Sequence, residues 1–378
     1  MKSMAWRRLA AIVIKEFIQL RRDRLTFAMI VGIPIIQMAL FGFAINGDPK
    51  ALPTAVIAHE QGRFTRSVVR ALENTGYFRI VAGDYDEARA EQALERGEVQ
   101  FVLTVPAGFA RAVQRGEQPA LLLEADATDP AATGNAIGAL LQLPTLALRH
   151  DLSGPAARGA ANRGAPFEWR IQRRYNPEGI TQYNVVPGLM GVILTMTMIM
   201  MTSLGVTREV ERGTMENLLA TPVRPAEVMV GKIAPYILIG YVQVGIILLA
   251  ARWIFDVPFA GSVVTLMVGT LAFIAASLTV GITISSIARS QMQAMQMTFF
   301  FFLPSILLSG FMFPFRGMPE WAQWIGEVLP LTHFLRFIRG VMLKGNDWAQ
   351  LWPSLWPLLL FTAVVLGVGL KRFRRTLD

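Results

Sequence analysis

The 378-residue chain contains no cysteine and only three histidines. Disulfides, thiolate metal sites and cysteine nucleophiles are therefore excluded, and any region outside the cytoplasm must stand on its own core. His59, His150 and His333 lie far apart and lack metal-ligand spacing. No Gly-x-x-x-x-Gly-Lys-Ser/Thr run occurs; Gly231-Lys232 is followed by Ile233 and lacks the upstream glycine, so the chain has no P-loop of its own. A Gly-x-Ser-x-Gly elbow is missing too. Asp84 with Asp86 is the nearest thing to a paired-carboxylate site, and surface solvation explains that pair better. Charge is scarce, at 17% of residues against 53% hydrophobic, where a soluble domain carries about 25% charged residues. Together these scarcities argue against an enzyme acting alone and for a chain partly embedded in a membrane.

The formal net charge is +9, but its distribution matters more than its size. Residues 46–183 hold 15 Lys and Arg against 16 Asp and Glu, so the positive excess belongs entirely to the rest of the chain. It gathers beside apolar runs: Arg7, Arg8, Lys15, Arg21, Arg22 and Arg24 before the first, and Lys371, Arg372, Arg374 and Arg375 after the last. Basic flanks of this kind mark cytoplasmic ends of membrane spans. No aromatic-interleaved basic stripe accompanies them, so a nucleic-acid partner is not expected.

A span needs about 20 apolar residues to cross the hydrocarbon layer. Six apolar segments are read as spans: 25–45, 184–206, 233–251, 265–287, 295–313 and the shorter 355–370. The expected fold class is thus a polytopic α-helical membrane protein with six transmembrane helices and an inserted extracytoplasmic α/β domain. Both termini are expected in the cytoplasm, as are Arg208, Arg212, Arg224, Lys232 and Arg289, with residues 46–183 outside. The first span is not a cleaved signal peptide, because its leader is too long and no small-x-small site follows. Within 1–24, Trp6, Leu9, Val13, Phe17 and Leu20 share one helical face and Arg7, Arg8, Lys15 and Gln19 another, as expected of a cytoplasmic helix lying in the headgroup plane. A simple extension of the first span is the alternative.

In 46–183, short apolar runs at 54–58, 78–82, 99–105 and 121–125 alternate with helical patterns at 65–74, 87–96 and 109–115, which implies a sheet covered by helices. Residues 154–164 form a small-residue linker, and an extended piece over 167–175 leads back to the membrane. Between the last two spans, 314–353 holds Trp321, Trp324, Trp348 and Trp352. Tryptophan favours the lipid–water interface, and Pro330 breaks the apolar stretch, so short helices dipping into the outer leaflet are expected, with Arg336 and Arg339 snorkelling to the surface.

The central portions of the spans carry essentially no ionisable side chain, which disfavours a proton- or ion-coupled transporter. Energy for uphill movement should then enter from outside the bilayer. The cytoplasmic loop 207–232 is the most informative stretch. Thr214 can cap a short helix, Glu216 sits near its positive end and Thr221-Pro222 stops it. Met215, Leu218 and Leu219 share one face, an apolar knob suited to a partner's groove, although a solvated loop would read the same way.

The run Glu209, Glu211, Gly213, Thr214, Glu216, Leu218, Leu219, Thr221-Pro222 resembles the coupling segment of ABC-2 type transporter permeases. The order of basic helix, span, large outer domain, five spans and broken helices is similar along almost the whole chain, and closest to the bacterial multidrug or efflux branch. The resemblance implies a bacterial inner-membrane permease subunit working with a second permease subunit, identical or related, and with separate P-loop ATPase subunits that bind ATP and Mg. It implies that Glu209, Glu211, Gly213, Thr214, Glu216, Leu218, Leu219 and Pro222 transmit ATPase closure to the spans. Membrane lipid is a further partner, and the outer domain is a candidate to dock a periplasmic adaptor. For the substrate path, Met196 and Met200 in the second span, Gln243 in the third, and Gln296 and Phe300 in the fifth are candidates. Methionine suits a promiscuous apolar pocket and a buried amide wants a partner; lipid contact and helix packing are the ordinary reading. The competing functions are a mechanotransmission subunit of the same general type, which moves no substrate, and a membrane-anchored sensor.

Overall fold

A computed structural model describes residues 49–83, 85–141, 143–149, 151–152, 165–211 and 225–375. The expected interfacial helix, the expected first span, Asp84, His150 and the whole of the linker 154–164 lie outside the described residues.

The first part is an α/β domain. Its five strands are β1 (Leu52–Ala58), β2 (Phe78–Ile80), β3 (Phe101–Val105), β4 (Ala120–Asp126) and β5 (Glu168–Arg174), in the order β2-β1-β3-β4-β5. β1 runs parallel to β2 and β3, β3 meets β4 antiparallel, and β4 pairs parallel with β5 from Ala120↔Glu168 to Asp126↔Arg174. The piece expected only to lead back to the membrane is thus an edge strand. Over Glu168–Gln172 it alternates, with Trp169 and Ile171 more sheltered than Glu168, Arg170 and Gln172, as suits an edge strand packed on one face only.

Helices cover both faces. On one, α1 (Arg63–Asn74) buries Phe64, Val68 and Leu72, and α3 (Phe109–Arg115) buries Phe109 and Val113, against Leu52, Phe101, Leu103, Leu121 and Leu123. On the other, α2 (Glu87–Glu95) lays Ala90, Ala93 and Leu94 over Ala55, Ile57 and Val102. Asp86 caps α2, accepting from the Arg89 amide at 2.7 Å, so this aspartate has a structural role. Two further helices, α4 (Pro130–Leu140) and α5 (Leu143–Ala147), occupy a stretch in which no helix was expected. Asp129 caps α4 by accepting from the amides of Ala131 and Ala132, and Pro130 is pre-set for the first turn.

The second part is a helical bundle: α6 (Thr181–Glu211), α7 (Pro225–Trp253), α8 (Val263–Ser285), α9 (Gln291–Leu308), α10 (Glu320–Val328), α11 (Pro330–Arg339) and α12 (Trp348–Arg375). Among the described residues four helical stretches are long and apolar enough to cross a membrane: Thr181–Glu209, Pro235–Trp253, Val263–Ser285 and Trp348–Gly367. α9 occupies the place of the expected 295–313 span but is shifted. It starts earlier, capped by Ser290, opens with Gln291, Gln293 and Gln296, and ends at Leu308, because Gly310 turns left-handed at φ 84°. The expected loop also proves shorter than 207–232: α6 continues through Glu211 and α7 begins at Pro225. No proline or glycine stands between Gly205 and Gly213, and Arg208 sits in the last turn of α6, where a cation favours the helix dipole.

The bundle core joins α6, α8, α11 and α12. Phe273 of α8 stacks on Phe334 of α11 with centroids 4.1 Å apart. Gly269 lets Phe337 lie directly on the α8 backbone, where a Cβ would fall inside the ring. α10 and α11 meet at Leu329, which ends one and starts the other before Pro330. A π-helical turn, Gly340–Lys344, and left-handed Gly345 then lead into α12.

Candidate functional site

Three places bring polar groups or unsatisfied apolar surface together. The first is the far end of α6, remote from the α/β domain. Glu209 and Glu211 lie in its last turn, while Gly213, Thr214, Glu216, Leu218, Leu219 and Pro222 lie outside the described residues. The Glu211 carboxylate accepts from the Gln291 side-chain amide at 2.6 Å and from its backbone N–H at 3.3 Å. Arg208 donates to the same Gln291 side chain at 3.3 Å. A carboxylate on the first turn of α9 also favours that helix's positive end. The start of the motif is thereby tied to α9. Further along, the Ser203 and Thr298 hydroxyls meet at 3.1 Å between the same two helices.

The second place holds the substrate-path candidates. Leu189, Ile193, Met196 and Met200 follow one another along α6 at helical spacing; Leu189 and Ile193 are exposed and the two methionines half-buried. Gln243 of α7 accepts from Thr197 at 3.0 Å, so its amide bonds across helices beside this stripe. Gln296 and Phe300 are not brought to Met196. They share a face of α9 with exposed Met292 and Phe299, opposite the buried Ala294, Thr298 and Ser305 that turn toward the bundle. The structure therefore gathers Met196, Met200 and Gln243, and leaves Gln296 and Phe300 on a separate open face.

The third place is a polar cleft of about 780 Å³ between the α/β domain and the bundle ends that face it. Lys344, in the π turn, donates to Asp126 at 2.6 Å, with both side chains nearly buried (7% and 8% exposed). It also donates to the carbonyls of Leu94 and Glu95 at 2.9 and 3.2 Å and lies over the Tyr175 ring. Asn346 donates to the Glu95 carbonyl, and Arg316 donates to the carbonyls of Gly97 and Glu98. The bundle therefore grips the C-terminal, electronegative end of α2 with two cations and an amide. Burial pushes the Tyr175 hydroxyl up, and the Asp126 and Glu95 carboxylates add to this. Burial likewise raises the Asp129 carboxyl, against the opposing pull of Arg339 and the α4 amides. The Arg316 guanidinium is brought down to about 10 by burial first, then by the neighbouring positive charges of Arg336 and Arg79.

Arg339 corrects an expectation. It does not snorkel to a surface: it donates to Asn184 Oδ1 at 2.7 Å and reaches the Gly310 carbonyl at 3.4 Å, its Nε is buried, and burial lowers its pKa. A polar partner on α6 outweighs the longer route to water. Arg336 is exposed but held by Glu327 through two bonds. Sequence reasoning missed Asp126, Asp129, Lys344, Asn346 and Arg316. The Asp126-x-x-Asp129-Pro130 stretch advertises a turn and a helix start, but nothing local to it names Lys344, 218 residues away.

A family model described as "ABC-2 family transporter protein" matches residues 24–371. The "Probable multidrug ABC transporter permease YbhS" of Escherichia coli (strain K12) is 28% identical over 384 residues, covering 99% of each chain. The permease YbhR of the same strain, named in the same words, is 28% identical over 369 residues, covering 97% of this chain and 98% of its own. The "Inner membrane transport permease YhhJ", also of that strain, is 28% identical over 373 residues, with 96% of each chain covered.

Proposed function

The chain belongs to the ABC-2 transporter family, and we propose that it is the six-span permease subunit of an ATP-driven exporter, moving an amphipathic, drug-like or lipid-like compound outward across a bacterial inner membrane. The observation that carries this reading is the bond from Glu211 to the first turn of α9. The segment 212–224 follows Glu211 directly, so a push on Leu218 and Leu219 by a separate ATPase is relayed to α9 through a charge-assisted contact. ATP and Mg bind that partner. A single copy leaves Met196 and Met200 on an open apolar stripe, which a second permease subunit, identical or related, would close into a path.

The experiment compares two variants of the complex in one membrane preparation. Leu218→Glu is expected to lose the co-purifying P-loop ATPase, since a charge then stands where an apolar knob should seat. Glu211→Ala is expected to keep the ATPase but lose most ATP-dependent dye efflux from vesicles. Full association of the Leu218→Glu variant would remove the coupling assignment.

The grip on α2 favours a second reading, in which the bundle moves the outer domain mechanically and conducts nothing. Docking of a periplasmic adaptor to that domain is compatible with either. ATP-driven efflux by the purified complex, without other proteins, selects the exporter.

A further inference from the structure

The cleft beside α2 is lined by seven Lys and Arg side chains against five carboxylates, Glu95, Asp126, Asp129, Glu320 and Glu327, a positive excess of two. Asp126 is held by Lys344 and Glu327 by Arg336, while Arg96 pairs with Glu98. Three guanidinium groups remain outside these close pairs, although Asp129 and Asp126 act on Arg339 at longer range. Arg316 bonds to backbone carbonyls, Arg339 to a carbonyl and the Asn184 amide, and exposed Arg79 adds a charge from β2 that Arg316 senses. None of the three has a carboxylate at ion-pair distance among the described residues. Guanidinium is weakly hydrated and forms a planar fork matched to phosphate oxygens, so a half-buried cluster of it recognises phosphate groups. A volume of about 780 Å³ lies within the usual range of ligand sites.

The second, independent observation is α10, which forms one wall. It presents three faces. Ala322 and Gly326 are buried in the protein; Glu320, Gln323 and Glu327 line the cleft; Trp321, Trp324, Ile325 and Val328 are exposed, Trp324 at 77%. Exposed tryptophans at i, i+3 beside aliphatic residues suit the headgroup layer of a bilayer, where indole rings collect. The apolar face of α10 therefore places the helix at headgroup depth, and the cleft on its adjacent face opens at the level where lipid phosphates lie.

We propose that this cleft holds the headgroup of an anionic phospholipid, with Arg316, Arg79 and Arg339 facing the phosphate and α10 as the sill over which the acyl chains leave. The proposal requires only that the chain sits in a bilayer; it is independent of the direction in which cargo moves and of the ATPase contact.

The test offers the full chain, purified in mild detergent with its accompanying subunits, equal amounts of phosphatidylglycerol and phosphatidylcholine with identical acyl chains. Retained lipid is read by native mass spectrometry. Phosphatidylglycerol should be retained over phosphatidylcholine, and Arg79→Glu should reduce its retention about tenfold, the scale of one charge contact. Arg79 is exposed, so folding is not at risk; Arg316→Gln, read beside its melting temperature, should act in the same direction. Equal retention of the two lipids, or phosphatidylglycerol retention unchanged in both variants, overturns the site. Inorganic phosphate that binds the wild type and displaces all retained lipid would mean a soluble phosphate site, and overturns the lipid assignment.

Discussion

Lys344 has three N–H donors and three oxygen acceptors, from Leu94, Glu95 and Asp126, with the Tyr175 ring completing the enclosure. An ammonium can be buried when its whole donor inventory is matched in this way. The cost of breaking the set follows from the same argument. Lys344→Met leaves Asp126 charged and buried beside an apolar chain, and is expected to destabilise the protein by about 3–5 kcal/mol, as is usual when one partner of a buried pair is removed. Asp126→Asn leaves the ammonium without its counter-charge and should cost a similar amount. The double variant should cost clearly less than the two singles together, because each removes the other's stranded charge. Melting of the purified chain in detergent, followed by intrinsic fluorescence, checks the cycle; simple additivity would mean that Lys344 and Asp126 do not act as a pair. No local pattern announces this contact, whereas Glu209 and Glu211 could be singled out from sequence because their motif is continuous.

At the scale of elements, legibility depended on whether a segment's own pattern agreed with its final state. β1, β3 and β4 are apolar runs rich in β-branched and aliphatic residues, and α2 starts at a capping aspartate, so local chemistry and fold coincide. α4 was not legible because Gly134, Asn135 and Gly138 depress its helix propensity, although Asp129-Pro130 marks its start. β5 looked like a connector because its charged residues suit an edge strand, and only the register with β4 reveals it. The packing of α8 on α11 was equally hidden, since it depends on an absent side chain. Gly269→Leu is expected to drive α8 and α11 apart around Phe337 and to lower stability by about 1–3 kcal/mol, the usual cost of overpacking. The neighbouring Phe273–Phe334 stack should loosen with it. A lower melting temperature with faster amide exchange in 330–339 would be the signature; an unchanged melting temperature would show that the two helices separate freely.

For the whole molecule, the positive-inside pattern predicts the α/β domain on one side of the membrane and the α6 end on the other. On that prediction the cleft that joins the two parts would lie at the outer surface, together with the exposed tryptophans of α10 and α12. The absence of cysteine makes this arrangement directly measurable, since any single introduced thiol is the only one present. Glu117→Cys, on the exposed side of the α/β domain, should react with a membrane-impermeant maleimide in intact cells. Arg289→Cys, exposed in the turn before α9, should react only after the membrane is opened. Lys2→Cys should behave like Arg289→Cys if the basic leader precedes a first span over 25–45, and like Glu117→Cys if no span lies there. The last comparison decides the parity of the spans: labelling of Lys2→Cys from outside would remove the expected first span over 25–45, and with it the six-span count.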